Sequence, residues 1–147
     1  MLILGIGCVL RRDDGLGPYV INQLNQLPEV AENTVRAVAL AELDIILAPE
    51  LNGVDLLILV DARADECDDL TLVERIHPTV TPGVVHRISH IVDAAALLRL
   101  AHDWYGAAPE CYAVLPKGYD FAFGEGLSEK ASLSAQEAVS RVQELLS

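Results

Sequence analysis

The sequence predicts an α/β fold: a three-layer sandwich whose twisted, mostly parallel (mixed) sheet of about five strands carries helices on both faces. Three observations predict it. Apolar β-type runs alternate with helically spaced apolar patterns along the whole chain. "VDLLILVDA" (54–62) is continuously apolar, as a central strand covered on both faces must be. "LILGIG" (2–7) is a second such run, and it feeds a Gly-rich turn that opens a helical pattern.

Taken in order, 2–7 is the first buried strand. In "GLGPYVINQLNQL" (15–27), Val20, Ile21, Leu24 and Leu27 fall at helical spacing, with Pro18 tolerated in the first turn. "TVRAVAL" (34–40) is the second strand, followed by a helix near 44–52, and 54–62 is the central strand. "DLTLVERIHP" (69–78) alternates as a strand does. "HIVDAAALLRLAHDWYG" (90–106) is an Ala/Leu-rich amphipathic helix stopped by Gly106, and "ECYAVLP" (110–116) is a last strand ended by Pro116. A Gly/aromatic loop, "KGYDFAFGEGLS" (117–128), leads to Ser128, which can cap a final helix through about residue 146.

All 147 residues read as one domain, 1–147, and the 52% hydrophobic content suffices for a substantial core. Cys8, Cys67 and Cys111 are an odd count without CxxC spacing, which predicts reduced thiols, a cytoplasmic location and no zinc knuckle. "MLILGIGCVL" lacks a basic start and runs into charged residues, so it does not read as a signal peptide. No run of 18 apolar residues predicts a membrane span. A formal charge of −12 disfavours nucleic acid and anionic membranes as partners.

Sites in such folds form at the carboxyl ends of the strands. Asp13 and Asp14 follow strand one, Asp61 ends the central strand, and His90 opens the 90–106 helix. Two carboxylates and an imidazole are a recurrent ligand set for a first-row divalent metal. Each residue also has a plainer reading. Asp61 can simply begin a turn, Ser89–His90 can cap a helix, and Asp13-Asp14-Gly15 can be a surface turn at a helix start. A dinucleotide fingerprint is disfavoured, because Leu10 stands where G-x-G-x-x-G needs its third Gly. No G-x-S-x-G elbow is present, and Cys8 is either a small buried hydrophobe or a thiol near His90.

"GIGCVLRRDDGLGPYV", then "LLILVDA", then "SH" opening an Ala/Leu-rich helix, resemble the hydrogenase maturation proteases over nearly the whole chain. These endopeptidases trim the C-terminal extension from the large subunit of nickel–iron hydrogenases. "LPKGYDFAFGEGLS" further resembles the branch serving bidirectional, NAD-linked hydrogenases. The resemblance implies that Asp14, Asp61 and His90 are metal-binding and catalytic. It also implies that the metal is nickel supplied by the substrate, with no organic cofactor. The implied partner is the nickel-loaded large subunit precursor, cleaved after a His or Arg just beyond its last cysteine motif. Two positions depart from the family pattern: Cys8 replaces the usual Asn, and "ALAEL" (39–43) replaces a D-G-G-T-like stretch, with Glu42 at the corresponding place. Cys8, Asp13 and Glu42 are therefore the expected substrate-binding residues. Two other readings fit the same residues: a metallohydrolase with its own divalent ion and a small substrate, or a non-catalytic module that docks the hydrogenase subunit.

Overall fold

The computed structural model describes residues 1–32, 34–78 and 89–147, with the side chains of 89–92 excepted. Five strands, β1 (Leu2–Ile6), β2 (Arg36–Leu40), β3 (Leu56–Asp61), β4 (Thr71–Ile76) and β5 (Glu110–Pro116), form one sheet in the order β2-β1-β3-β5-β4. All neighbours are parallel except β4, which pairs antiparallel with β5 at one edge. The predicted mixed five-strand sheet with helices on both faces is the one observed.

Alternation along the central strands divides the core. Leu57 and Leu59 of β3, with Leu4 and Ile6 of β1, pack under α3 (Ser89–Tyr105) through Ala94, Leu97, Leu98 and Ala101. Ile58 and Val60 face the other way, onto Val20 and Leu24 of α1 (Leu16–Leu24) and Ala135 and Val142 of α4 (Glu129–Leu146). Each Leu, Ile or Val buried here contributes roughly 1.5–3 kcal/mol. The double burial of β3 is why its sequence shows no polar alternation.

Two local differences have physical causes. The helix expected near 44–52 is a 3-10 segment, Ile45–Leu51, because Pro49 inside it has no N–H to return to an α-helical partner. The first helix stops at Leu24 instead of Leu27. Leu27 is extended ahead of Pro28, and Pro28 starts a short new helix, α2 (Pro28–Ala31). Ser128 caps α4 as expected, its hydroxyl accepting the Ala131 N–H at 3.3 Å.

The crossovers fix where a ligand can sit. From β1 the chain leaves over the α1 face to β2. From β2 it returns over the opposite face, through Ile45–Leu51, to β3. The gap between β1 and β3 is therefore the topological switch point, where a crevice opens at the carboxyl ends of the strands.

Candidate functional site

β1 ends at Ile6, whose register partner on β3 is Asp61. Gly7 follows with φ 148°, and a Cβ on it would overlap the Asp14 carbonyl oxygen. Only glycine allows the next turn, the 3-10 segment Arg12–Gly15, to fold back onto the strand end. There the Asp14 carboxylate accepts the Cys8 N–H through Oδ2 at 2.8 Å. Cys8 thus meets Asp14 through its backbone. That contact uses the backbone N–H and makes no demand on the Cys8 side chain.

Asp61 closes β3 and is only 4% exposed. By strand alternation with Leu57 and Leu59 it lies on the α3 face. Since α3 runs back toward the start of β5, its N-terminal turn, with the His90 backbone, is at the carboxyl end of the sheet. The His90 side chain lies outside the described residues, as does His86. Asp14 and Asp61 are thus brought to adjacent strand ends flanking the switch point, with the α3 N-terminus at the same end. Oxygen and imidazole donors suit nickel or another first-row divalent ion. Among the described side chains, which do not include His90, no group of three His, Cys, Asp or Glu is placed to hold a metal.

Asp13 has a different place from the one expected. Its side chain is fully buried, at 0% exposure, and its carboxylate accepts four hydrogen bonds. Oδ2 takes the N–H groups of Tyr119 (2.7 Å) and Asp120 (2.8 Å) and the Ser128 hydroxyl (2.7 Å), while Oδ1 takes the Ser128 N–H (2.7 Å). Burial works to raise its pKa, but the Ser128, Tyr119 and Asp120 donors outweigh it and hold the carboxyl below the ordinary value. With its oxygens occupied and no surface open, Asp13 contacts the protein itself and not a substrate. Glu42 is exposed on the loop after β2, one strand further from the switch point than Asp14.

One residue escaped the sequence reading. Arg63, two positions after Asp61, has a fully buried side chain. Its guanidinium donates to the carbonyls of Leu115 (2.8 Å), Cys67 (2.9 Å) and Asp69, and to the Asp65 carboxylate (2.8 Å). The one available signal was an arginine directly behind a buried strand and ahead of acidic "ADECDD".

Large apolar side chains are exposed in the segments that follow β1, β2 and β5. Val9 and Leu10 are each 56% exposed, Ile46 is 76% and Phe123 is 86% exposed. Arg11 stands over the Phe123 ring at 5.7 Å. A groove of about 380 Å³ beside this loop, lined by Val9, Pro18, Tyr19 and Leu127, contains neither acid. No helix among the described residues is long and apolar enough to cross a membrane.

No family model and no curated protein matches the chain. Solved structures do. A [NiFe] hydrogenase maturation protease, HybD, from Thermococcus kodakarensis superposes with a TM-score of 0.75 at 21% identity, over 98% of this chain and 97% of that one. The chain has the fold of hydrogenase maturation proteases. The maturating endopeptidase HybD from E. coli gives 0.74 at 21% identity, over 99% and 90% of the two chains. HycI, another [NiFe] hydrogenase maturation protease from Thermococcus kodakarensis KOD1, gives 0.71 at 20%, over 99% and 90%.

Proposed function

We propose that this protein is an endopeptidase that removes the C-terminal extension from the nickel-loaded large subunit precursor of a nickel–iron hydrogenase. The observation that carries the reading is that Asp61 ends β3 at the switch point, beside the end of β1, just past which the Asp14 carboxylate is bonded to Cys8, in a fold shared with HybD and HycI. In this reading the two carboxylates and His90 receive the precursor's own nickel, which belongs to the substrate. Without that cation, the negative charge of the two acids would meet no metal on the substrate. Binding of nickel-free precursor would then lose its main electrostatic contribution.

The reaction is hydrolysis: water adds to the scissile carbonyl carbon, the C–N bond breaks, and the departing amine takes a proton. An Asp carboxylate held by the fold is suited to accept the proton from water. The exposed apolar side chains Val9, Leu10, Ile46 and Phe123, in the segments that follow β1, β2 and β5, support a folded protein substrate over a small molecule, which would leave them uncovered. Within this reading, "LPKGYDFAFGEGLS" points to a bidirectional, NAD-linked hydrogenase as the substrate, and Glu42 bears on substrate choice.

The test is co-incubation with nickel-loaded precursor, followed by the intact mass of the large subunit. The unsubstituted chain is expected to shorten the subunit, and Asp14→Ala and Asp61→Asn are expected to leave it full length while remaining folded. Precursor unchanged by the unsubstituted chain, or cut at the normal rate by Asp14→Ala, refutes the assignment.

A further inference from the structure

The segment Pro116–Asp120 touches both halves of the site. Its first half pairs with the residue two beyond Asp61: the Arg63 N–H donates to Pro116 O at 2.9 Å, and the Gly118 N–H to Arg63 O at 2.8 Å. Its second half closes on the residue before Asp14. The Tyr119 and Asp120 N–H groups donate to Asp13 Oδ2, and the Asp13 N–H returns to Asp120 O at 2.9 Å. Space agrees with the bonding. A Cβ on Gly118 would stand 2.5 Å from Phe121 Cζ and 3.1 Å from Asp13 Cβ, so a side chain here would push the Phe121 ring aside and crowd Asp13.

We propose that Asp13 is a positioning residue, which through the strap 116–120 fixes Asp14 relative to Asp61. The geometry stands by itself; what the two acids then do rests on the function proposed above. Capping of α4 does not account for the arrangement. Ser128 already supplies the cap, whereas two of the four donors to Asp13 come from Tyr119 and Asp120, outside the helix. A carboxylate is required because every group facing it is a donor. An amide side chain would turn its own NH₂ toward N–H groups.

The experiment follows amide hydrogen exchange in the ¹⁵N-labelled full chain, comparing the unsubstituted protein with Asp13→Ala and Gly118→Ala. Gly118→Ala displaces the strap while keeping the carboxylate, and covers the case in which Asp13→Ala fails to fold. Both variants are expected to speed exchange at the Cys8 N–H, which reports the Asp14 carboxylate, while Val20 and Val142 keep their rates. Titration with nickel chloride is expected to show affinity weakened by about 10- to 100-fold in Asp13→Ala. In an Asp14→Ala background, Asp13→Ala should weaken it no further. An unchanged Cys8 amide overturns the proposal. So does loss of protection spread evenly to Val20 and Val142, since Asp13 would then serve only global stability. A local effect at Cys8 in a chain that neither binds nickel nor cuts precursor upholds the positioning role and refutes the proposed function.

Discussion

Arg63→Ala is the substitution whose cost the structure defines best. The guanidinium makes four hydrogen bonds, three to backbone carbonyls and one to the Asp65 carboxylate, from a side chain with no exposed surface. A hydrogen bond to a charged group contributes about 1.5–3 kcal/mol, so the gross loss for four is about 6–12 kcal/mol. Part is recovered, because the burial cost of the cation disappears and water can enter from the partly exposed Asp65 side. A net destabilisation of about 3–5 kcal/mol follows, the range for breaking a buried ionic contact. In a domain of this size that corresponds to a Tm lower by roughly 6–20 °C. Circular dichroism melts and urea titrations of Arg63→Ala and Arg63→Lys measure it. Lysine, with one compact donor group, is expected to restore only part of the loss. A shift below about 1 kcal/mol for Arg63→Ala would refute the reasoning, since the carbonyls would then be satisfied without the arginine.

Two further outcomes are expected. Because the folded-state pKa of Asp13 lies below the unfolded one, its contribution is complete above the unfolded value and drains away as pH falls through the folded one. Urea midpoints should therefore drop below about pH 4 in the unsubstituted chain and do so less steeply in Asp13→Asn; parallel slopes would exclude Asp13 as the source. Cys111 is 1% exposed, and burial pushes its thiol up to about 12. A disulfide reagent at pH 8 is accordingly expected to label Cys8 and Cys67 quickly and Cys111 only on unfolding, with three equally fast thiols as the contrary result.

How far the sequence carried this reading depends on which residues had to act locally. The buried strand at 56–61 was legible as a continuous apolar run, and the Ala/Leu helix at 89–105 because it repeats its helical period over several turns. Asp61 was legible as an acid closing an apolar run. Asp13 and Asp14, adjacent in the chain, were not separable: one turns inward to bind residues 119–128 and the other turns toward Cys8. Nothing within ten residues of Asp13 encodes that difference, since its donors lie more than a hundred positions away. Arg63 was illegible for the same reason, one of its carbonyl partners being Leu115. The 3-10 form of Ile45–Leu51 was the one local feature that Pro49 announced and helical spacing concealed.

Among the described residues, no two paired strands of this sheet are joined by a tight turn. β1 reaches β2 only after α1, β1 meets β3 only after β2, and even the antiparallel pair β4–β5 waits for α3 between them. The five described strands therefore offer no hairpin from which to nucleate, and their first correct pairing must close a long stretch of chain before any ladder energy is gained. Refolding from urea should be slow for a chain of this length. Until β3 docks between its two neighbours, its apolar run is a bare edge open to other chains.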